Sequence, residues 1–321
     1  MHRRRWWLIA LLLVVALVGA ACGDDDDDDA AGQDDGTETT VAGPPEFEAG
    51  TTMAAIQQKG KLVVGVKFDQ PGFGLKNPTT NEIEGFDVEI AKLIAVGIFG
   101  GTVDDLGDKV EFVETVSAVR EPSIVDGKVD IVVATYTIND TRKQVVDFAG
   151  PYFTAEQDIM VKADDDSIES VEDLNGKKVC SAQGSTSLKN LQEKAPQADL
   201  SIQFRTYSEC AQALGDGRVQ AVSTDNTILA GLVADSDGAY KLVGAPFSDE
   251  PYGIGHKKGD EDFREFLNNR LEEIFESGEW EDAFERTLGS ESRFELETPD
   301  TPTVDRYTSG APAATTTTAA P

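Results

Sequence analysis

Short apolar runs alternate with helix-period segments along most of this chain, and that alternation leaves few folds open. Lys61–Val66 reads as a buried strand. Gly85-Phe86-Asp87 then opens a helix whose Ile90, Leu93, Ile94 and Ile98 share one face. Lys109–Val113 is a second strand, Pro122–Val125 a short helix ended at Gly127, and Val129–Val133 a third strand. A second unit of the same kind begins after Gly150-Pro151-Tyr152. It has a helical turn at Val171–Leu174, a strand at Lys177–Cys180, and a polar turn at Gly184–Ser187 leading a helix through Leu188 and Leu191. A strand at Ile202–Tyr207, a helix at Ser208–Leu214 and a strand at Val219–Ser223 follow. Tyr252–Gly255 is extended, and Glu261–Leu288 closes the pattern with amphipathic helices. Strands separated by helices require right-handed crossovers and a mostly parallel sheet. The expected fold class is therefore α/β, with two lobes facing one another across a cleft, where ligands preferentially bind.

Two strand ends carry the chemistry. The run Val129–Val133 leads into ATYTINDTR, Ala134–Arg142, where an apolar strand gives way to threonines, Asn139, Asp140 and one arginine. Ligands of open α/β sheets sit at the carboxyl ends of strands, and a guanidinium fork suits a carboxylate. The plainer reading is a helix N-terminus capped by Asn139 or Asp140, with Arg142 on the surface. Thr224-Asp225-Asn226 repeats the pattern after Val219–Ser223, and Asp225 reads equally as a helix cap.

The flanks differ in kind. Arg3-Arg4-Arg5, an apolar run from Trp6 to Val18 and small residues before Cys22 make residues 1–21 a secretory signal. Gly-Ala-Ala-Cys resembles a bacterial lipobox with Cys22 as the acylated residue, although Gly19 stands where that pattern prefers leucine. Residues 22–50, with the run Asp24–Asp29, cannot bury apolar area and are expected to form a disordered acidic tether. Residues 297–321, rich in Thr, Pro and Ala, are expected to be a disordered tail.

A formal net charge of −31 argues against a nucleic-acid partner. With His2 and His256 as the sole histidines, neither a histidine metal cluster nor a Ser-His-Asp triad is well supplied. No metal or cofactor is expected, and His256 is expected at the surface. Export puts Cys180 and Cys210 where disulfides persist. Either they bridge, pinning the Gln183–Ser187 turn with about 3 kcal/mol of loop entropy, or they are two buried thiols.

Six ordered segments go further: KLVVGVKFDQPGFG, EGFDVEIAKLIA, DGKVDIVVATYTINDTRKQVVDFAGPYF, QGSTS, GRVQAVSTDNTIL and PYGIGHKKGD. Over Thr51–Leu288 they resemble the extracytoplasmic amino-acid-binding proteins of ABC importers (solute-binding family 3, type II periplasmic-binding fold). The likeness is greatest to binders of glutamate or aspartate. The resemblance implies one lobe from 51–152 and 250–290 and another from 153–249, closing by a hinge near Pro151–Ala155 and Phe247–Tyr252. It implies that Arg142 clamps the ligand α-carboxylate and that Thr137 contacts α-carboxylate and α-ammonium. The Thr135 carbonyl would receive the ammonium, the Thr186 backbone N–H would meet the α-carboxylate, and Asp225 would pair with the ammonium. Lys67 and Arg120 would face a side-chain carboxylate, with Phe73 as a lid over the methylenes.

A charge count bears on that set. Glutamate brings two carboxylates and one ammonium to Lys67, Arg120, Arg142 and Asp225. A neutral amino acid would leave cations unpaired in a dry cleft, at a cost of several kcal/mol, or about a thousandfold in affinity. One methylene separates glutamate from aspartate, worth only about 1–3 kcal/mol; a long lysine and an arginine favour glutamate. The expected function is a monomeric, lipid-anchored binder of L-glutamate or L-aspartate. It would serve a membrane permease and its cytoplasmic ATPase, and would not be an enzyme. Alternatives are a glutamine or other polar amino-acid binder, or a module presenting its ligand to a separate receptor. A lytic or dehydratase-type enzyme on this fold would need an added catalytic domain or a general acid in the cleft.

Overall fold

The computed structural model describes residues 44–290, 292, 294 and 296–307. The expected signal segment, Cys22 and most of the expected tether lie outside the described residues. Helix α1 (Thr52–Lys59) precedes strand β1 (Leu62–Val66), and β2 (Asp69–Gln70), β3 (Gly74–Lys76) and β4 (Ile83–Glu84) form a small antiparallel sheet. Then come α2 (Phe86–Phe99), β5 (Val110–Glu114), α3 (Arg120–Val125), β6 (Ile131–Val132), α4 (Asp140–Lys143) and the long strand β7 (Val146–Lys162). The remaining elements are β8 (Val179–Cys180), α5 (Thr186–Lys194), α6 (Tyr207–Gly215), β9 (Ala221–Asp225), α7 (Asn226–Ala234), β10 (Tyr240–Leu242), β11 (Asp249–Lys257), α8 (Glu261–Ser277) and α9 (Glu279–Thr287).

The main sheet runs β5-β1-β6-β11-β7-β9-β8, with β10 also on β7. β5, β1 and β6 are parallel, as are β8 and β9. β7 and β11 are antiparallel to their neighbours and join the two parallel groups. The first part of β7 pairs with β11, and its last residues pair with β9 and β10. One apolar core gathers around α2, β1, α8 and α9, with Phe86, Leu93, Leu267 and Trp280 buried. A second lies between β9, α6 and α7, with Cys180, Leu214 and Leu229. The fold is the two-lobed type II periplasmic-binding fold.

Several stretches depart from the sequence reading. A Gly-Pro pair reads as a breaker, yet β7 runs through it. Pro151 has no N–H to contribute, and it falls where the ladder shifts, between Phe153↔Tyr252 and Ala149↔Ile254. The groups freed there are met from outside: Gly150 N donates to Asn268 Oδ1 at 2.9 Å, and Gly150 O accepts from Asp305 N at 2.8 Å. Ile202–Tyr207 forms no regular strand, touching its neighbour through a single bridge, Phe204 to Ala182. His256 is fully buried, because β11 is an inner strand, and burial pushes its pKa down to about 4.

The described parts of both flanks are tied to the body. Phe47 packs edge-on against Phe266. Residues 297–307 are tied to the body: Arg306 binds Glu272 and Asn269, and Tyr307 OH accepts from Phe148 N at 2.7 Å. Lys143 and Arg264 lie over the Tyr307 ring. An arginine and a tyrosine inside a Thr/Pro-rich tract are enough to dock it.

Candidate functional site

β6 ends at Val132, and the chain then crosses to β11 without forming a continuous strand. Ile138 N donates to Pro251 O at 2.7 Å and Gly253 N to Tyr136 O at 3.0 Å, so Tyr136, Thr137 and Ile138 are held by backbone. Thr135 sits at φ 43°, in the left-handed region that disfavours β-branched residues. Asp87 holds it there: Oδ2 accepts from Thr135 N at 2.9 Å, and Oδ1 accepts from Tyr152 OH at 2.5 Å. Asp87 opens α2, where an acid ordinarily complements the helix dipole. Here it is fully buried, and burial raises its pKa to about 7 against those two hydrogen bonds.

The expected cations come together. Lys67, Arg120 and Arg142 are 2%, 2% and 6% exposed. Lys67 Nζ donates to Ser117 Oγ at 2.9 Å. Arg120 Nη1 donates to Ala134 O at 2.9 Å and Thr135 O at 3.1 Å. Arg142 Nη1 donates to Thr137 O at 2.6 Å and Nε to Glu121 at 3.2 Å, while Nη2 lies 3.5 Å from Gly184 O across the cleft. Burial, then the charges of Arg120 and Arg142, pull the Lys67 ammonium down to about 7, opposed by Asp69 and Asp87. Burial and then Arg120 lower Arg142 to about 10, so its guanidinium stays charged at neutral pH. The charges of these three groups oppose one another, which prepares the site for an anion.

One ring keeps the two guanidiniums together. The centres of the Arg120 and Arg142 groups lie 4.3 and 4.7 Å from the Tyr136 ring centroid, and Phe148 packs on that ring at 4.8 Å. Within ATYTINDTR, Tyr136 looks like an ordinary inward-facing strand residue, so the sequence offers no signal of this role.

The other lobe brings Thr186 and Asp225. Thr186 Oγ1 lies 3.3 Å from Thr137 Oγ1 and donates to Glu250 Oε2 at 2.9 Å. Asp225 accepts from Tyr252 OH at 2.6 Å and from Ser187 Oγ at 3.4 Å. Burial, then nearby Glu250, push its pKa up to about 7, with the Tyr252 hydroxyl opposing. Glu250 is also buried, accepting from Asn190 and Ser248. Neither Glu250 nor Tyr252 was among the ligand-binding candidates, because Phe247–Tyr252 reads as a hinge and Tyr252–Gly255 as an extended run. Phe73, expected as a lid, is fully buried among Phe86, Phe153 and Tyr252 at centroid distances of 5.6–6.2 Å. It packs edge-on behind Tyr252, whose hydroxyl meets Asp225.

Cys180 and Cys210 form a disulfide joining β8 to α6, with a Cα–Cα distance of 5.6 Å. Among the described residues no cluster of His, Cys, Asp and Glu is arranged to hold a metal ion, and no helix is long and apolar enough to cross a membrane.

Known proteins share this arrangement of sequence. The ABC transporter glutamine-binding protein GlnH of Bacillus subtilis is 43% identical over 238 residues, covering 74% of this chain and 84% of the relative. The glutamate-binding protein GluB of Corynebacterium glutamicum is 38% identical over 266 residues, covering 80% and 88%. The solved structure of an ancestral arginine-binding protein bound to glutamine matches with a TM-score of 0.65 at 40% identity, over 72% of this chain and 99% of that one. Residues 62–290 match the bacterial extracellular solute-binding proteins, family 3, and the chain belongs to that family.

Proposed function

We propose that this chain is the substrate-binding component of an ABC importer for an acidic amino acid, L-glutamate first and L-aspartate second. It closes around the ligand and delivers it to a membrane permease. The observation that carries the reading is the convergence of Lys67, Arg120 and Arg142, all buried, on a site whose opposite side presents Asp225. Arg142 and Thr137 take the α-carboxylate with Thr186, Asp225 takes the ammonium, and Lys67 and Arg120 take the side-chain carboxylate. Closure turns on β7 and β11, the two strands shared by the lobes. Export and a lipid anchor at Cys22 complete the proposal.

A second reading is glutamine. The GlnH likeness favours it, and so does Lys67, whose pKa near 7 lets it stand neutral beside a carboxamide. Isothermal titration with L-glutamate, L-aspartate and L-glutamine separates the two. Heat with glutamine and none with either acid would sink the acidic reading. Arg120→Ala is expected to weaken glutamate at least about tenfold more than glutamine, the worth of one charge-assisted hydrogen bond. Equal loss for both ligands would remove Arg120 from side-chain recognition.

A further inference from the structure

We propose that Gln70 is a specificity-determining residue whose side-chain amide donates to the terminal oxygen of the bound amino acid, selecting a carboxylate there together with Arg120. The inference rests on the acidic-amino-acid reading and deepens it.

Gln70 ends β2 and is fully buried. Its position is fixed from the other lobe: Tyr207 N donates to Asp69 Oδ2 at 2.9 Å and Ser208 Oγ to Asp69 O at 2.8 Å, at the start of α6. β2 therefore lies where the two lobes meet. Gln70 Oε1 lies 3.0 Å from Thr135 Oγ1, while Gln70 Nε2 meets no acceptor among the described residues. Arg120 shows the same imbalance. Its Nη1 reaches Ala134 O and Thr135 O, and its buried Nε meets none. Both side chains converge on Thr135, and each keeps a buried donor without a partner.

The acceptors around them are engaged. Ala134 O and Thr135 O take Arg120, Asp87 takes Thr135 N and Tyr152, and Ser117 Oγ takes one hydrogen of Lys67. A buried donor left unmet carries its full desolvation penalty. The group that relieves this corner offers acceptors and brings no hydrogens. A carboxylate is acceptor-only, whereas a carboxamide adds two N–H groups of its own.

Thr135 gives Gln70 a second setting. The threonine hydroxyl has one hydrogen and also lies 2.8 Å from Ala134 O. When the hydrogen goes to Ala134 O, the Gln70 amide turns over, donates to Thr135 Oγ1, and presents Oε1 to the ligand. That setting accepts from a carboxamide. A carboxamide oxygen could also accept from Arg120 Nε, so what tilts the pair toward a carboxylate is the charge of the guanidinium, which a carboxylate pairs with and a carboxamide does not.

The test is calorimetric titration of L-glutamate and L-glutamine into the wild type, Gln70→Glu and Gln70→Met, with the melting temperature of each recorded. Gln70→Glu keeps the oxygen facing Thr135 and replaces the amide donor by a second acceptor. It is expected to weaken glutamate about a hundredfold and glutamine less than about tenfold, cutting the preference for glutamate by at least about tenfold. Gln70→Met keeps the volume, removes the donor and is expected to weaken glutamate about tenfold. Equal weakening of both ligands in both variants would make Gln70 a structural residue and overturn the assignment, as would wild-type affinities throughout. A Gln70→Glu chain that does not fold leaves the decision to Gln70→Met. A wild type that takes neither ligand fails the acidic reading itself, and Gln70 falls with it.

Discussion

β6 and β9 both run from apolar residues into polar ones, yet the chain leaves them in different ways. After β6, Asn139 caps the short helix α4, its Oδ1 accepting from Arg142 N at 2.9 Å. That side chain is used locally, and Arg142 is free to reach Thr137 and the cleft. After β9, Asp225 occupies the N-cap position of α7, but its carboxylate makes no capping bond. It turns instead to Tyr252 and Ser187. A missing cap costs a helix about 1 kcal/mol. On this side the helix bears that cost, and the acid faces the cleft, where the proposed ligand ammonium would meet it. The same residue chemistry thus caps a helix at one strand end and turns into the cleft at the other, where we propose recognition, and only the direction of the side chain distinguishes them.

The strongest way to break the comparison is Asp225→Asn. The variant keeps an oxygen for the Tyr252 hydroxyl and loses the charge. We expect affinity for glutamate at pH 7.5 to fall about a hundredfold, with the melting temperature unchanged or raised. The pH profile gives a sharper readout. Because the Asp225 pKa stands near 7, binding an ammonium below that pH requires expelling a proton, which should lower wild-type affinity on acidification, while Lys67, also near 7, gains its charge over the same range and opposes the fall. Asp225→Asn should flatten that fall in calorimetry between pH 5 and 8; an unchanged slope would place the titration elsewhere. Stability moves the opposite way. An aspartate near 3.9 when unfolded and near 7 when folded holds its proton more tightly in the native state. That contribution is complete below about pH 4 and is lost as pH rises through 7. Asp225 and Asp87 should therefore favour the free protein at pH 5 over pH 7, opposed by His256, whose folded pKa near 4 costs stability below about 6.5; Asp225→Asn should shift that balance toward pH 7.

Each strand end also has its tyrosine, and they act through different parts. Tyr136 offers its ring to Arg120 and Arg142. Tyr252 offers its hydroxyl to Asp225. Removing the hydroxyl should accordingly be silent at one and costly at the other. Tyr136→Phe is expected to keep glutamate affinity within about twofold, and Tyr136→Leu to lose about tenfold, since each cation–π contact is worth about 0.5–2 kcal/mol. Tyr252→Phe should weaken binding several-fold and move the acid limb of the pH profile upward, because the hydroxyl holds the Asp225 pKa down. Titration of the three variants checks this. A Tyr136→Phe loss as large as that of Tyr136→Leu would show that the ring is not the working part.

The sequence was legible where its periods were long and local. The helix beginning at Phe86, the strand at Leu62–Val66 and the pair α8 and α9 follow directly from spacing. The convergence of Lys67, Arg120 and Arg142 came from resemblance, since nothing local in any one segment says that three cations share a site. Asp87, Gln70, Glu250 and Tyr252 escaped notice because each reads as something ordinary: a first-turn acid, a loop amide, a surface glutamate, a strand aromatic. What brings them beside the candidate site is burial against a distant segment. β7 escaped because Gly150-Pro151 signals a break, and what keeps the strand going is its pairing with the distant β11, where Gly150, Pro151 and Tyr152 bulge opposite Gly253.

The smallest expected effect lies at the cap itself. Asn139→Ala removes the acceptor from Arg142 N and should cost about 1 kcal/mol of stability. Its effect on binding should be slight, because Arg142 remains held by Thr137 O and Glu121 and its guanidinium still lies over the Tyr136 ring. We expect glutamate affinity within about threefold of wild type, under about 0.7 kcal/mol, together with a lower denaturation midpoint in urea. Asp225→Asn is expected to give the reverse pattern of lost binding and kept stability. If Asn139→Ala weakened binding as strongly as Asp225→Asn, α4 would have to be placing Arg142 through its backbone. The cap would then belong to the recognition site and not to the scaffold.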